Sequence, residues 1–264
     1  MRRRGEAVFV LALVAGLLAL PASAQLVNQA GAGGVVPAPE GGITDLYVQT
    51  DNASGNGAPD QNFEAAYNAY DSEGADDFEV DWPDGWVVQQ VRTVGTQSAG
   101  GSATSVDVNF YPDNAGFPGN TAACSYAGIV PTQAAGSFTI DLPTDCNLPA
   151  GFWWVAIQTT QTFGGGNGQH FWSNRTSQSN QGGVWRNPGD GFGSGCTDWD
   201  RMTTCGVGGG TNPDFLFVIA GELGVPPPPP AVVPTLDVVG LLALMALLAG
   251  TALFVMRRRQ SSEG

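Results

Sequence analysis

Residues 238–256 form a run of nineteen without a charge or a proline. At 1.5 Å per helical residue, such a run matches the roughly 30 Å hydrocarbon core of a bilayer. Arg257, Arg258 and Arg259 follow at once, and a basic cluster at the end of a membrane helix favours the cytoplasmic side. The sequence therefore predicts a transmembrane helix over 238–256, with a short cytoplasmic tail over 260–264. Whatever globule the chain forms has to be built from what precedes that helix.

The opposite end is also set apart from the fold. Arg2, Arg3 and Arg4 make a basic start, residues 7–20 are apolar, and Pro21-Ala22-Ser23-Ala24 ends in an Ala-x-Ala pattern. These three parts in this order read as a signal peptide over 1–24, cut between Ala24 and Gln25. The partners this implies are the Sec translocon and signal peptidase, and residues 25–237 are expected outside the cytoplasm.

Between the two ends the chain divides by composition. Residues 25–42 are rich in Gly, Ala and Pro and read as a flexible lead-in. A Pro-rich linker covers 225–232, where five consecutive prolines at 226–230 favour an extended polyproline rod of about 3.1 Å per residue. One domain over 43–224 remains. Residues 25–225 carry 21 acidic side chains against four arginines and no lysine, a net of −17. That charge argues against nucleic acid as a partner and against anionic lipid head groups.

Periodicity makes this domain all-β. Phe78, Val80 and Trp82 alternate with Asp77, Glu79 and Asp81. Val106, Val108 and Phe110 alternate with Asp107, Asn109 and Tyr111, and Phe138, Ile140 and Leu142 with Ser137, Thr139 and Asp141. Residues 152–157 and 215–220 are apolar on both faces, as expected of strands covered on each side. Gly-rich and Asn/Asp-Gly turns punctuate these runs, and no amphipathic helix of useful length is present. The expectation is a two-sheet antiparallel β-sandwich, of jelly-roll type among the options. Residues 50–60 read as a polar loop.

Four cysteines, at 124, 146, 196 and 205, in an exported chain predict two disulfides. Three pairings are open to four cysteines, and chain proximity favours Cys124–Cys146 with Cys196–Cys205. A lone histidine and the lack of any Cys-x-x-Cys argue against zinc.

Little in the body points to catalysis. Any nucleophile–histidine system has to use His170, which lies between a Gly-rich turn and Phe171-Trp172 and reads as a packed strand residue. No Gly-x-Ser-x-Gly elbow or phosphate loop is found. No cofactor is expected. Calcium is the metal to consider, because Asp77, Glu79 and Asp81 share one strand face. Seven tryptophans lie in the body, and exposed indoles stack on sugar rings. Trp185 and Trp199, beside Gly-rich loops, are the candidate ligand-binding pair. Trp153 and Trp154 have to face opposite sides of one strand.

The tail carries a resemblance to a known family. Its order of short motif, apolar helix and arginine cluster resembles bacterial C-terminal sorting signals of the PEP-CTERM kind. Val233, Pro234, Thr235 and Leu236, with Gly240, look like the IPTL-CTERM branch over residues 233–259. Val233 stands where that pattern has Ile, and Val239 stands where it has Trp. The resemblance implies recognition by an exosortase-type membrane enzyme, removal of the helix, and release or attachment of the outer domain. A plain single-pass anchor is the alternative.

Together these readings predict an exported bacterial envelope protein whose sandwich serves adhesion, matrix structure or ligand binding without catalysis. A glycan or matrix polymer is the partner class they leave open. Carbohydrate binding is the alternative function, with a secreted hydrolase behind it.

Overall fold

In a computed structural model of the chain, the described residues are 30–31, 43–226 and 238–261. Residues up to Val225 form one unit and those from Pro226 onward a second. The signal peptide and its cleavage pair Ala24 and Gln25, most of the lead-in, and nearly all of the proline linker lie outside the described residues. So do the motif residues Val233, Pro234, Thr235 and Leu236.

The first unit is built from strands. In chain order the principal ones are β1 (Thr44–Gln49), β2 (Ala53–Pro59), β3 (Glu73–Val80), β4 (Trp86–Thr93) and β5 (Gly95–Gln97). Then come β6 (Ser105–Asn114), β7 (Cys124–Ile129), β8 (Thr132–Ala134), β9 (Ser137–Leu148) and β10 (Gly151–Thr160). The last are β11 (His170–Arg175), β12 (Val184–Arg186), β13 (Asp200–Arg201), β14 (Asp214–Phe215) and β15 (Phe217–Leu223). A single helical turn, α1 (Met202–Cys205), follows β13 and is closed by Gly206 in the left-handed region.

Two sheets make the expected sandwich. Sheet I has the order β8-β9-β4-β15-β1, and sheet II the order β7-β6-β10-β3-β12-β13. The period-2 patterns fill the space between them. Val106, Val108 and Phe110 of β6, Phe78 and Val80 of β3, and Val155 and Ile157 of β10 meet Val88 and Val91 of β4, Ile140 of β9 and Ile219 of β15 in one buried core. Residues 215–220 are buried throughout, as their two-faced apolar character requires.

The structure adds a third sheet to the predicted pair, in which β11 lies between β2 and β14 and also pairs with β5. Two strands supply it by turning a corner: β4 continues into β5 past Val94, and β14 continues into β15 past Leu216. At these corners Val94 N–H donates to the Leu216 carbonyl at 3.1 Å, Leu216 N–H to Ser173 at 2.9 Å, and Ser173 N–H to Val94 at 2.9 Å. That ring of three hydrogen bonds satisfies backbone groups the ladders leave unpaired. The Trp172 indole also donates to the Leu216 carbonyl, at 2.9 Å.

Residues 53–59 were expected in a loop and are strand β2. Glycine is what the position requires: a Cβ on Gly57 would sit 3.0 Å from both Phe171 Cβ and the Trp172 carbonyl oxygen. The close approach of β2 to β11 selects small residues, and small residues carry no alternating pattern.

Both disulfides pair as chain proximity favours. Cys124 begins β7 in sheet II and Cys146 lies in β9 in sheet I, with Cα atoms 6.0 Å apart, so this bridge staples one side of the sandwich. Cys196–Cys205 ties the loop before β13 to α1.

The second unit contains α2 (Val238–Gln260), four residues longer than the predicted span and continuous through the arginine cluster. Its segment Val238–Arg259 is long and apolar enough to cross a membrane, and its apolar side chains are exposed all round.

Replacing Cys124 and Cys146 together by serine is expected to cost about 3 kcal/mol for a loop of this size. Urea unfolding of the oxidised double variant beside the parent measures that loss.

Candidate functional site

The greatest concentration of unusual chemistry lies where β3 passes beneath the third sheet. Asp76 is fully buried and faces the interior, an arrangement the sequence pattern conceals because Asp77, its neighbour, was expected on the solvent face. The Asp76 carboxyl accepts from Gln49 Nε2 at 2.9 Å, Phe215 N–H at 2.7 Å and Asp77 N–H at 2.9 Å. Gln49 ends β1 in sheet I, Phe215 lies in β14 of the third sheet, and Asp76 itself belongs to sheet II. One carboxyl therefore joins all three sheets.

Asp214 and Asp77 complete the cluster. Asp214 accepts from Ser179 N–H at 2.6 Å and faces Arg175 at 3.4 Å, while its Oδ1 is buried without a partner. Asp77 is buried rather than solvent-facing, because the loop at Gln181 folds over it and donates an N–H at 3.1 Å. Burial first, then the charges of Asp214 and Asp77, push the Asp76 carboxyl well above the ordinary carboxylate range. Burial raises Asp77 to about 7 and Asp214 to about 6, against the pull of backbone donors and, for Asp214, of Arg175. Burial and the Asp76 charge likewise raise the Tyr47 phenol, which donates to Gln49 Oε1 at 2.7 Å.

His170 sits apart, between β11 and the start of β9. Its Nδ1 lies 2.6 Å from Asp60 Oδ1 and its Nε2 2.7 Å from the Gly136 carbonyl. Thr159 Oγ1 is 3.2 Å from Nδ1 and donates to Asp60 at 3.1 Å, and the Phe138 ring stacks at 4.6 Å. Burial alone would lower the imidazole pKa, but the Asp60 charge and both hydrogen bonds outweigh it and the net shift is upward. A threonine, a histidine and an aspartate thus stand together without forming a nucleophile–base relay. Both ring nitrogens face acceptors and the group is fully buried, so it is a structural ion pair.

The residues singled out for ligands are not gathered together. Trp185 was expected to be exposed and is fully buried: its indole donates to the Pro59 carbonyl at 2.6 Å, and the strand that carries it packs against β3. Trp199 is half-buried, with the Arg186 guanidinium 4.2 Å above its ring. Trp153 and Trp154 face opposite sides of β10, as alternation demands. Of the calcium candidates, Asp77 is buried while Glu79 and Asp81 are exposed. Among the described residues, no three His, Cys, Asp or Glu side chains lie together as a metal ion would need. Gly240 and Arg257, Arg258 and Arg259 all lie on α2. Trp82, unremarked in the sequence beyond its strand pattern, is 42% exposed.

Comparison with known proteins gives little. Family models and curated sequences yield no match to the chain. Among solved structures, the cysteine protease and lectin-like domains of Cwp84, a surface layer associated protein of Clostridium difficile, align with a TM-score of 0.39 at 16% identity. That alignment covers 57% of this chain and 32% of the other, so this chain spans about a third of that length.

The raised carboxyls fix how stability depends on pH. A carboxyl whose pKa is higher folded than unfolded binds more protons in the native state. Their contribution to stability is therefore full below about pH 4 and is lost as pH rises toward about 7. His170 acts in the same sense, since the stabilisation from its protonation is lost as pH climbs through its raised folded value. Thermal unfolding is expected to show Tm falling by roughly 5 °C or more between about pH 4.5 and 8. In Asp76→Asn, which keeps an acceptor and removes a titrating group, that slope becomes shallower. His170→Leu strands the buried Asp60 carboxylate and is expected to cost about 3–5 kcal/mol in chemical denaturation, a loss that adding Asp60→Asn partly restores.

Proposed function

We propose that the chain is an exported bacterial envelope protein that displays a non-catalytic β-sandwich outside the cytoplasm for adhesion, matrix structure or ligand binding. The observation that carries this reading is the pairing of α2 with the disulfides. A helix with apolar side chains exposed all round is at home in lipid, and Arg257, Arg258 and Arg259 in its last turn favour the cytoplasmic side for that end. The body would then lie on the oxidising side, where Cys124–Cys146 and Cys196–Cys205 form and persist. The signal peptide over 1–24 supplies the route, through the Sec translocon and signal peptidase. The sorting motif at 233–236 supplies a substrate for an exosortase-type enzyme, which would remove the helix. The acidic body favours dispersion and disfavours nucleic acid as a partner.

Fractionation of the native host, followed by intact mass of the recovered chain, tests this. The mature protein is expected outside the cytoplasm, beginning at Gln25, with all four cysteines refractory to alkylation. Loss of 238–259 supports sorting, and retention of that segment supports a plain anchor. Recovery of the full chain from the cytosol with four free thiols would overturn the proposal.

A further inference from the structure

Three segments meet tightly at the end of the sandwich where the chain leaves it. They are the turn 81–85 between β3 and β4, the turn between β9 and β10, and Gly224 after β15. The fit depends on two glycines. A Cβ on Gly85, whose φ is +80°, would lie 2.3 Å from the Leu148 carbonyl oxygen, and one on Gly224 would lie 2.1 Å from that of Asp84. Beside them is an open-sided cavity of about 330 Å³, at the small end of the range for small-ligand sites.

Its walls combine apolar and hydrogen-bonding surface. Trp86, Leu148 and Pro149 are apolar, and Asp84 and Asn147 are polar. Both polar side chains are exposed. Trp86 is only 3% exposed, yet its buried Nε1–H lacks an acceptor, and its ring is held parallel to Phe78. Trp82, 42% exposed, is tied to the lining residue Gly224 by a 3.1 Å hydrogen bond from its Nε1 to the Gly224 carbonyl. An immobilised indole face loses little entropy on binding.

We propose that this cavity binds a saccharide ring without acidic groups. A sugar ring would offer a C–H face for the neighbouring Trp82 and hydroxyls for the Asp84 carboxylate and Asn147 amide that line the cavity. Charge selects among sugars: Asp81 and Asp84 occupy the same turn, in a body of net −17, so uronic acids are repelled and neutral or amino sugars favoured. This site deepens the ligand-binding reading above and rests on it only for its biological setting.

The test uses the full chain in a detergent without a sugar head group. Titration calorimetry and tryptophan fluorescence are run with cellotetraose, a glucosamine tetramer and tetragalacturonate. The neutral or the amino oligomer is expected to bind while tetragalacturonate stays silent. Trp82→Ala weakens binding about tenfold or more, Asp84→Ala weakens it, and Trp82→Tyr restores part of it. Trp199→Ala binds as the parent does, and unchanged circular dichroism melts show that each variant folds. Silence of all three probes up to about 10 mM would overturn the site, as would undiminished binding by folded Trp82→Ala or preference for tetragalacturonate. None of these results depends on where the cell places the protein, so failure here would leave the export proposal standing.

Discussion

The Asp76 carboxyl lies where three sheets converge, and each sheet gives it a hydrogen bond or the strand that holds it. A buried carboxyl is costly when charged and unpaired. Burial and the nearby Asp214 and Asp77 charges push its pKa up, against the pull of the Phe215 and Asp77 N–H donors. The third sheet has few long strands of its own: β14 is two residues long and β5 three. Its attachment to the sandwich depends on fixed points such as this one and the Val94–Leu216–Ser173 ring. The pH response follows in part from placing an acid at that junction, beside the buried Asp77 and Asp214.

Much of the fold was legible because half-buried strands advertise themselves. Val106, Val108 and Phe110 could be assigned inward on period alone, and 215–220 could be assigned as covered on both faces. What stayed hidden shares a cause. Residues 53–59 have almost no side chains to pattern, and their strand is dictated by how closely β11 approaches Gly57. Asp77 keeps the parity of a solvent-facing residue, but parity names a face and not what covers it; the loop at Gln181 arrives from about a hundred positions away.

The candidate sites were less legible for the same reason. Trp185 sits among glycines that suggest exposure, yet the chain brings β12 against Gly74 of β3 and seals the indole inside. Trp82 looked like one more core residue of an alternating strand, and the turn that follows lifts it to the surface. Cysteine pairing succeeded because short separations left little for tertiary structure to decide, whereas no short-range signal distinguishes a buried aspartate from an exposed one.

The position of β15 has a mechanical consequence. It is the last strand before Val225, and it lies inside sheet I, hydrogen-bonded to β4 on one side and β1 on the other. Tension entering through the residues after Val225 therefore meets two ladders at once, where a terminal strand at a sheet margin would offer one.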